Sequence, residues 1–138
     1  MKEATTQEII RDAPITKDMG DHWEVVYMNV AKLMEQTQKN RIFRFENSLL
    51  FYTITEPKIA SGIVFSIDPP RTQAKAFVEF ATALSKSGFE KLTVATHLEL
   101  AIKLLAKAGF DGNILAKYTD SKIKNLHDIE IILQGGDQ

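Results

Sequence analysis

Between residues 21 and 38 the apolar positions Trp23, Val26, Tyr27, Val30 and Met34 recur every three or four residues. That spacing lays one buried stripe along an amphipathic helix, and Asp21 stands where an N-cap carboxylate would open it. The period then changes. "RIFRF" (41–45) and "SLLFYTI" (48–54) are rich in aromatic and β-branched residues and are separated only by Glu46 and Asn47, which predicts a hairpin with Asn47 at its turn. After Pro57 the run "KIASGIVFSI" is apolar almost throughout, as expected of a third strand that is covered on both faces and central in its sheet.

Helical spacing returns beyond Asp68. Ala76, Phe77, Phe80, Ala81 and Leu84 form a stripe that should stop near Ser87 and Gly88, because glycine takes the left-handed position after a helix. "KLTVAT" reads as a short buried strand, and residues 98–110 as a second helix, with Leu98, Ala101, Ile102, Leu105 and Ala108 on one face and Gly109 ending it. "NILAKYT" and "IEIIL" are the last strand candidates, joined by the polar residues 120–128. The first twenty residues are polar, with a short helical possibility at residues 5–10 broken by Pro14. They read as an N-terminal arm (1–20) ahead of a domain over residues 21–138. With no repeat and no low-complexity segment, the element order predicts an α/β fold: a single mixed, mostly antiparallel sheet flanked by helices.

Composition narrows the function classes. At 138 residues and 44% hydrophobic the chain has enough apolar material for one domain with a core. Seventeen basic residues against eighteen acidic ones give no field to draw in a polyanion, which makes nucleic acid an unlikely partner. The absence of cysteine excludes disulfides, thiolate catalysis and Cys-type zinc sites. No apolar run approaches the length of a membrane span and "MKEATTQEII" lacks a signal-peptide core, so the expected setting is cytoplasmic or intracellular. His22, His97 and His127 have no ligand spacing, which speaks against a metal site. Ser61 and Ser66 lack a nucleophile-elbow context. The aromatics of "FRF" and "FYT" follow the alternation of a half-buried sheet more simply than a base-stacking platform.

From Arg41 onward the element order resembles the GNAT superfamily of N-acetyltransferases, an acyl-CoA N-acyltransferase fold. The resemblance spans roughly residues 21–133 by order, and by sequence detail residues 62–110. The family's Q/R-x-x-G-x-G/A motif falls on Arg71, Thr72, Gln73, Ala74, Lys75 and Ala76, with Ala74 where the central glycine is expected. "AKAGF" is similar to the end of the family's last helix. The resemblance implies that residues 71–76 hold the pyrophosphate of acetyl-CoA or CoA. It also implies that the sheet opens between residues 62–67 and the strand at 91–96 to admit the pantetheine arm.

Binding a pyrophosphate at that junction needs unpaired backbone N–H groups at a helix start and no side chain in the way. Pro69 and Pro70 have no N–H, and Asp68 stands where it could cap the helix itself. A self-capped strand-to-helix corner thus competes with a phosphate cradle. Aligned on "LLAKAGF", Leu105 stands where many family members carry the tyrosine that protonates the leaving thiolate, and leucine has no proton to give. The strand at 59–67 carries no carboxylate, which leaves Glu46 and Glu56 as candidate bases; His97 is a third catalytic candidate, since it follows "KLTVAT" where the resemblance implies a polar residue facing the acyl group. With the glycine, the tyrosine and the free N–H groups all missing, the chain reads as a GNAT-fold protein with a degenerate acetyl-CoA site. Its expected role is a non-catalytic binding or assembly module that meets protein partners through the N-terminal arm. In size and degeneracy it resembles the GNAT-like proteins of short-tailed bacteriophage particles, which would place it in the virion. The alternative is an acetyl-CoA-dependent N-acetyltransferase acting on an unidentified amine.

Overall fold

A computed structural model describes residues 4–14, 40–97, 99–117 and 126–133. The amphipathic segment 21–38, with Trp23 and the Asp21 cap, lies outside them, as does Leu98. Among the described residues three helices and six strands follow in the order α1 (Thr6–Asp12), β1 (Asn40–Phe45), β2 (Ser48–Glu56), β3 (Ile59–Ser66), α2 (Pro70–Lys86), β4 (Lys91–Thr96), α3 (Glu99–Lys107), β5 (Asp111–Lys117) and β6 (His127–Ile132). None of these helices is long and apolar enough to cross a bilayer.

The strands form one sheet in the order β1-β2-β3-β4-β6-β5. Every neighbouring pair is antiparallel except β3 with β4, which run parallel. The α/β class and the mixed, mostly antiparallel sheet therefore stand as the sequence predicts, with β3 central. The hairpin turn lies at Glu46 and Asn47, and the left-handed conformation falls on Glu46 (φ 52°). Arg44 braces that turn, donating from Nε to the Glu46 carbonyl at 2.8 Å and from Nη2 to the Asn47 side-chain oxygen at 3.0 Å.

Strand β2 explains why residues 49–52, "LLFY", are apolar in succession: alternate residues enter two separate cores. Leu50 and Tyr52 join Ala60 and Val64 beneath α2 and α3, which contribute Phe77, Phe80, Leu84, Ala101 and Leu105. Leu49 and Phe51 join Phe65 on the other face, where α1 lays down Ile9, Ile10 and Ala13. All three, the two isoleucines within α1 and Ala13 at its C-cap, are buried. Residues 4–14, within the stretch read as an arm, are thus folded against the sheet.

The helix ends follow the local rules. Gly88 (φ 93°) succeeds the Ser87 cap of α2, and Phe89 N–H returns to the Leu84 carbonyl at 3.0 Å. Ala108, expected on the buried face of α3, is exposed, because the helix ends at Lys107. The last two strands start earlier than their apolar runs suggest, at Asp111 and His127, because the ladder pairs Asp111 with Ile132 and Lys117 with His127.

Candidate functional site

The parallel ladder between β3 and β4 is short. It runs from Ile59 opposite Lys91 to Gly62 opposite Val94 and stops there, while β3 continues to Ser66 and β4 to Thr96. Gly62 lets β3 lie tight on β2 just before the ladder stops: a Cβ there would sit 2.7 Å from the Phe51 carbonyl oxygen. Beyond the last pair a cleft lies between the two strand ends. Val64 and Ser66 line it from β3, Gln73 and Phe77 from α2, Thr96 and His97 from the end of β4, and Pro14 and Leu126 from flanking segments. Its room is about 20 Å³, space for little more than one water molecule.

The corner after β3 departs from the sequence expectation. Asp68 does not cap α2: the N-cap position is Pro69, Pro70 is the first helical residue, and no side chain caps this end. The Asp68 carboxylate turns back instead to the β1–β2 hairpin. Its Oδ2 accepts from the Asn47 N–H at 3.0 Å and from the Ser48 hydroxyl at 2.7 Å. The buried Ser48 and Ser66 hydroxyls are 2.6 Å apart, and Ser66 Oγ accepts the Asp68 N–H at 3.1 Å. The protons assign themselves. Ser48 has one proton and gives it to Asp68, so Ser66 must donate to Ser48. The network thus ties the start of β2 and the end of β3 to the hairpin turn and to the corner before α2.

The six motif residues are helical from the start of the match. Gln73 N–H already bonds the Pro69 carbonyl at 2.9 Å, the first rung of α2. Gln73, Ala74, Lys75 and Ala76 therefore spend their N–H groups inside the helix, and only those of Arg71 and Thr72 lie ahead of the first rung. Ala74 and Ala76 are buried in the core, Arg71 and Lys75 are exposed, and Gln73 is the one of the six that lines the cleft.

The three catalytic candidates separate. His97 lines the cleft, and burial lowers its pKa, favouring the neutral imidazole. Glu46 is exposed in the hairpin turn, at the same end of the sheet as His97 but outside the cleft lining. Glu56 is exposed at the opposite end of β2; at about 3.3 Å per residue that puts it on the order of 30 Å from Glu46. One site cannot use both glutamates. Leu105 is fully buried in the core between α3 and the sheet.

Sequence reading did not anticipate Pro14 and Thr96 in the cleft, or the Ser48–Ser66–Asp68 network. A trace of the network is visible in the chain, since Ser48 and Ser66 are hydroxyls that abut the apolar runs "LLFY" and "IVF" at strand ends. Their meeting depends on the register that sets Ser48 opposite Ser66.

No protein-family model matches the chain, and no curated protein matches it in sequence. Solved structures do. The ribosomal-protein-S18-alanine N-acetyltransferase from Escherichia coli superposes with a TM-score of 0.52 at 15% identity, covering 99% of this chain and 96% of that one. A Bacillus subtilis acetyltransferase in complex with CoA superposes with a TM-score of 0.51 at 11% identity, covering 96% of each chain. The order of elements, the sheet that opens between two parallel strands and these near-complete superpositions together establish that the chain has the fold of the GNAT acetyltransferases.

Proposed function

We propose that this chain is a GNAT-fold binding or assembly module that does not transfer acetyl groups. The observation that carries this reading is the helical state of residues 71–76. A cradle for the pyrophosphate of acetyl-CoA needs a fan of free N–H groups, and here four of the six motif N–H groups lie within the ladder of α2. The turning away of Asp68 leaves the start of α2 without a side-chain cap, which restores two N–H groups and the positive end of the helix dipole. Two are few for a diphosphate. The cleft between β3 and β4, with room for about one water, also falls short of a pantetheine arm. Acetyl-CoA therefore fits the residues present poorly. In this role partners meet the outside of the N-terminal arm, where Glu8, Arg11 and Asp12 are exposed on α1 while Ile9 and Ile10 are occupied by the sheet. The virion assignment rests on the sequence resemblance alone.

The alternative, an N-acetyltransferase, has one observation in its favour: His97 is held toward its neutral form inside the cleft, as a general base requires. Calorimetric titration with acetyl-CoA and CoA separates the two readings. The expected result is no binding, or binding weaker than millimolar. Micromolar affinity for acetyl-CoA, with CoA release in the presence of amines that His97→Gln abolishes, would overturn the proposal and establish the enzyme.

A further inference from the structure

Helix α2 presents Gln73 and Phe77 to the cleft at His97, while on its outer side Lys75, Val78 and Glu79 line a second groove. The two share no residue. Leu104 and Lys107 line this groove from α3, Ala108 from just beyond that helix, and Phe45 from the end of β1. Its volume is about 470 Å³, inside the roughly 300–1,000 Å³ that small-ligand pockets occupy. Phe45, Val78 and Leu104 are half-buried and form an apolar floor, with the exposed Ala108 beside them. A ligand there is independent of whether the cleft transfers acetyl groups.

The charges around that floor specify what fits it. Each helix contributes one lysine, Lys75 from α2 and Lys107 from α3, and neither takes part in an ion pair among the described residues. Lys107 is not needed to close the end of α3, because the Leu104, Leu105 and Ala106 carbonyls already accept from the N–H groups of Ala108, Phe110 and Gly109. Glu79, one turn on from Lys75, offsets one of the two positive charges and leaves the lining net positive. A neutral hydrocarbon would leave the lysines unused, and a nucleotide would set its polar groups on the apolar floor. A chain with one anionic end uses both. We infer that the groove binds a free medium-chain fatty acid, its alkyl chain on Phe45, Val78 and Leu104 and its carboxylate between Lys75 and Lys107. Burial of the chain supplies most of the affinity, and charge-assisted hydrogen bonds fix the head.

Calorimetric titration of the full chain with hexanoate, octanoate and decanoate, kept below their micelle concentrations, tests this. Affinity should rise roughly tenfold for each pair of added carbons, and decylammonium should bind more weakly than decanoate. Decanoate should shift the amide resonances of Val78, Leu104 and Ala108 and leave that of His97 in place. Lys75→Glu combined with Lys107→Glu should weaken decanoate roughly tenfold or more, and Glu79→Gln should tighten it. Ala108→Glu, which sets a carboxylate in the groove, should abolish binding. All four positions are exposed, so circular dichroism should be unchanged, and the comparison of decanoate with decylammonium needs no variant at all. Absence of saturable decanoate binding up to millimolar concentration overturns the inference, as does decylammonium binding as tightly as decanoate. Lysine reversals without effect, or shifts centred on His97, overturn the placement in this groove.

Discussion

Asp68 shows how a residue can satisfy a local rule and still act elsewhere. Asp followed by Pro at a helix start predicts a cap worth about 1 kcal/mol, yet its carboxylate holds the Asn47 N–H and the Ser48 hydroxyl. Asp68→Ala would leave the fully buried Ser48 hydroxyl without its acceptor, a loss of roughly 2 to 3 kcal/mol. A double-mutant cycle with Ser48→Ala in urea denaturation checks the partner, with an expected coupling of about 1 kcal/mol or more. Additive effects would show that Asp68 acts on the helix instead. His97 makes a second prediction. Burial lowers its pKa below the usual 6.5, so just below that value the unfolded chain binds more protons than the folded one. The contribution to stability is complete above pH 6.5 and is lost as pH falls through the lowered value. Urea midpoints measured across that window should fall with acidification, and His97→Gln should flatten the slope. An unaltered slope in the variant would assign the effect to another group.

At the scale of elements, periodicity and terminators were legible because they are local. The stripe Ala76, Phe77, Phe80, Ala81 and Leu84 is buried as its spacing predicts, and α2 stops where Gly88 turns left-handed. The start of α2 was legible as well, but not its consequence: the resemblance implied that residues 71–76 hold a pyrophosphate, and the run from Pro70 is helix, which takes up most of their N–H groups. Helix α1 was legible only as a possibility, since seven residues are too few to hold a helix by propensity. Its stability comes from a capping box, in which Thr5 Oγ1 accepts the Glu8 N–H at 3.1 Å and Glu8 Oε1 accepts the Thr5 N–H at 3.2 Å, and from the sheet beneath Ile9 and Ile10. Thr5→Ala should therefore cost about 1 kcal/mol, seen as faster hydrogen exchange at the Ile9 amide with β3 and β4 unaffected. Unchanged exchange would mean that the sheet contacts alone hold the helix.

At the scale of the whole molecule, α1 covers one face of the sheet among the described residues. The Leu49, Phe51 and Phe65 cluster has no other helix over it among the described residues. Deleting residues 1–14 should therefore destabilise the domain: burial of Ile9 and Ile10 alone is worth roughly 1.5 to 3 kcal/mol each. Thermal denaturation should show a lower midpoint, and a dye that binds apolar surface should report the uncovered face. A truncated chain with the full-length midpoint and no added dye binding would return the segment to the status of a free arm.

Among the described residues from β1 onward, which segments are helix or strand, where α2 ends, and that β3 is central were determined by the sequence alone. Each follows from side-chain volume and backbone freedom within a few consecutive residues. Tertiary structure decided the rest. Asp68 finds acceptor duty some twenty residues back in the chain, the continuous apolar run of β2 serves two cores at once, and the ladder between β3 and β4 stops at Gly62. It also decided that His97 shares a cleft with Ser66 and Gln73 while Glu56 lies at the far end of the sheet. These are relations between residues far apart in the chain, set by strand register and by which face each helix covers, and no local pattern encodes them.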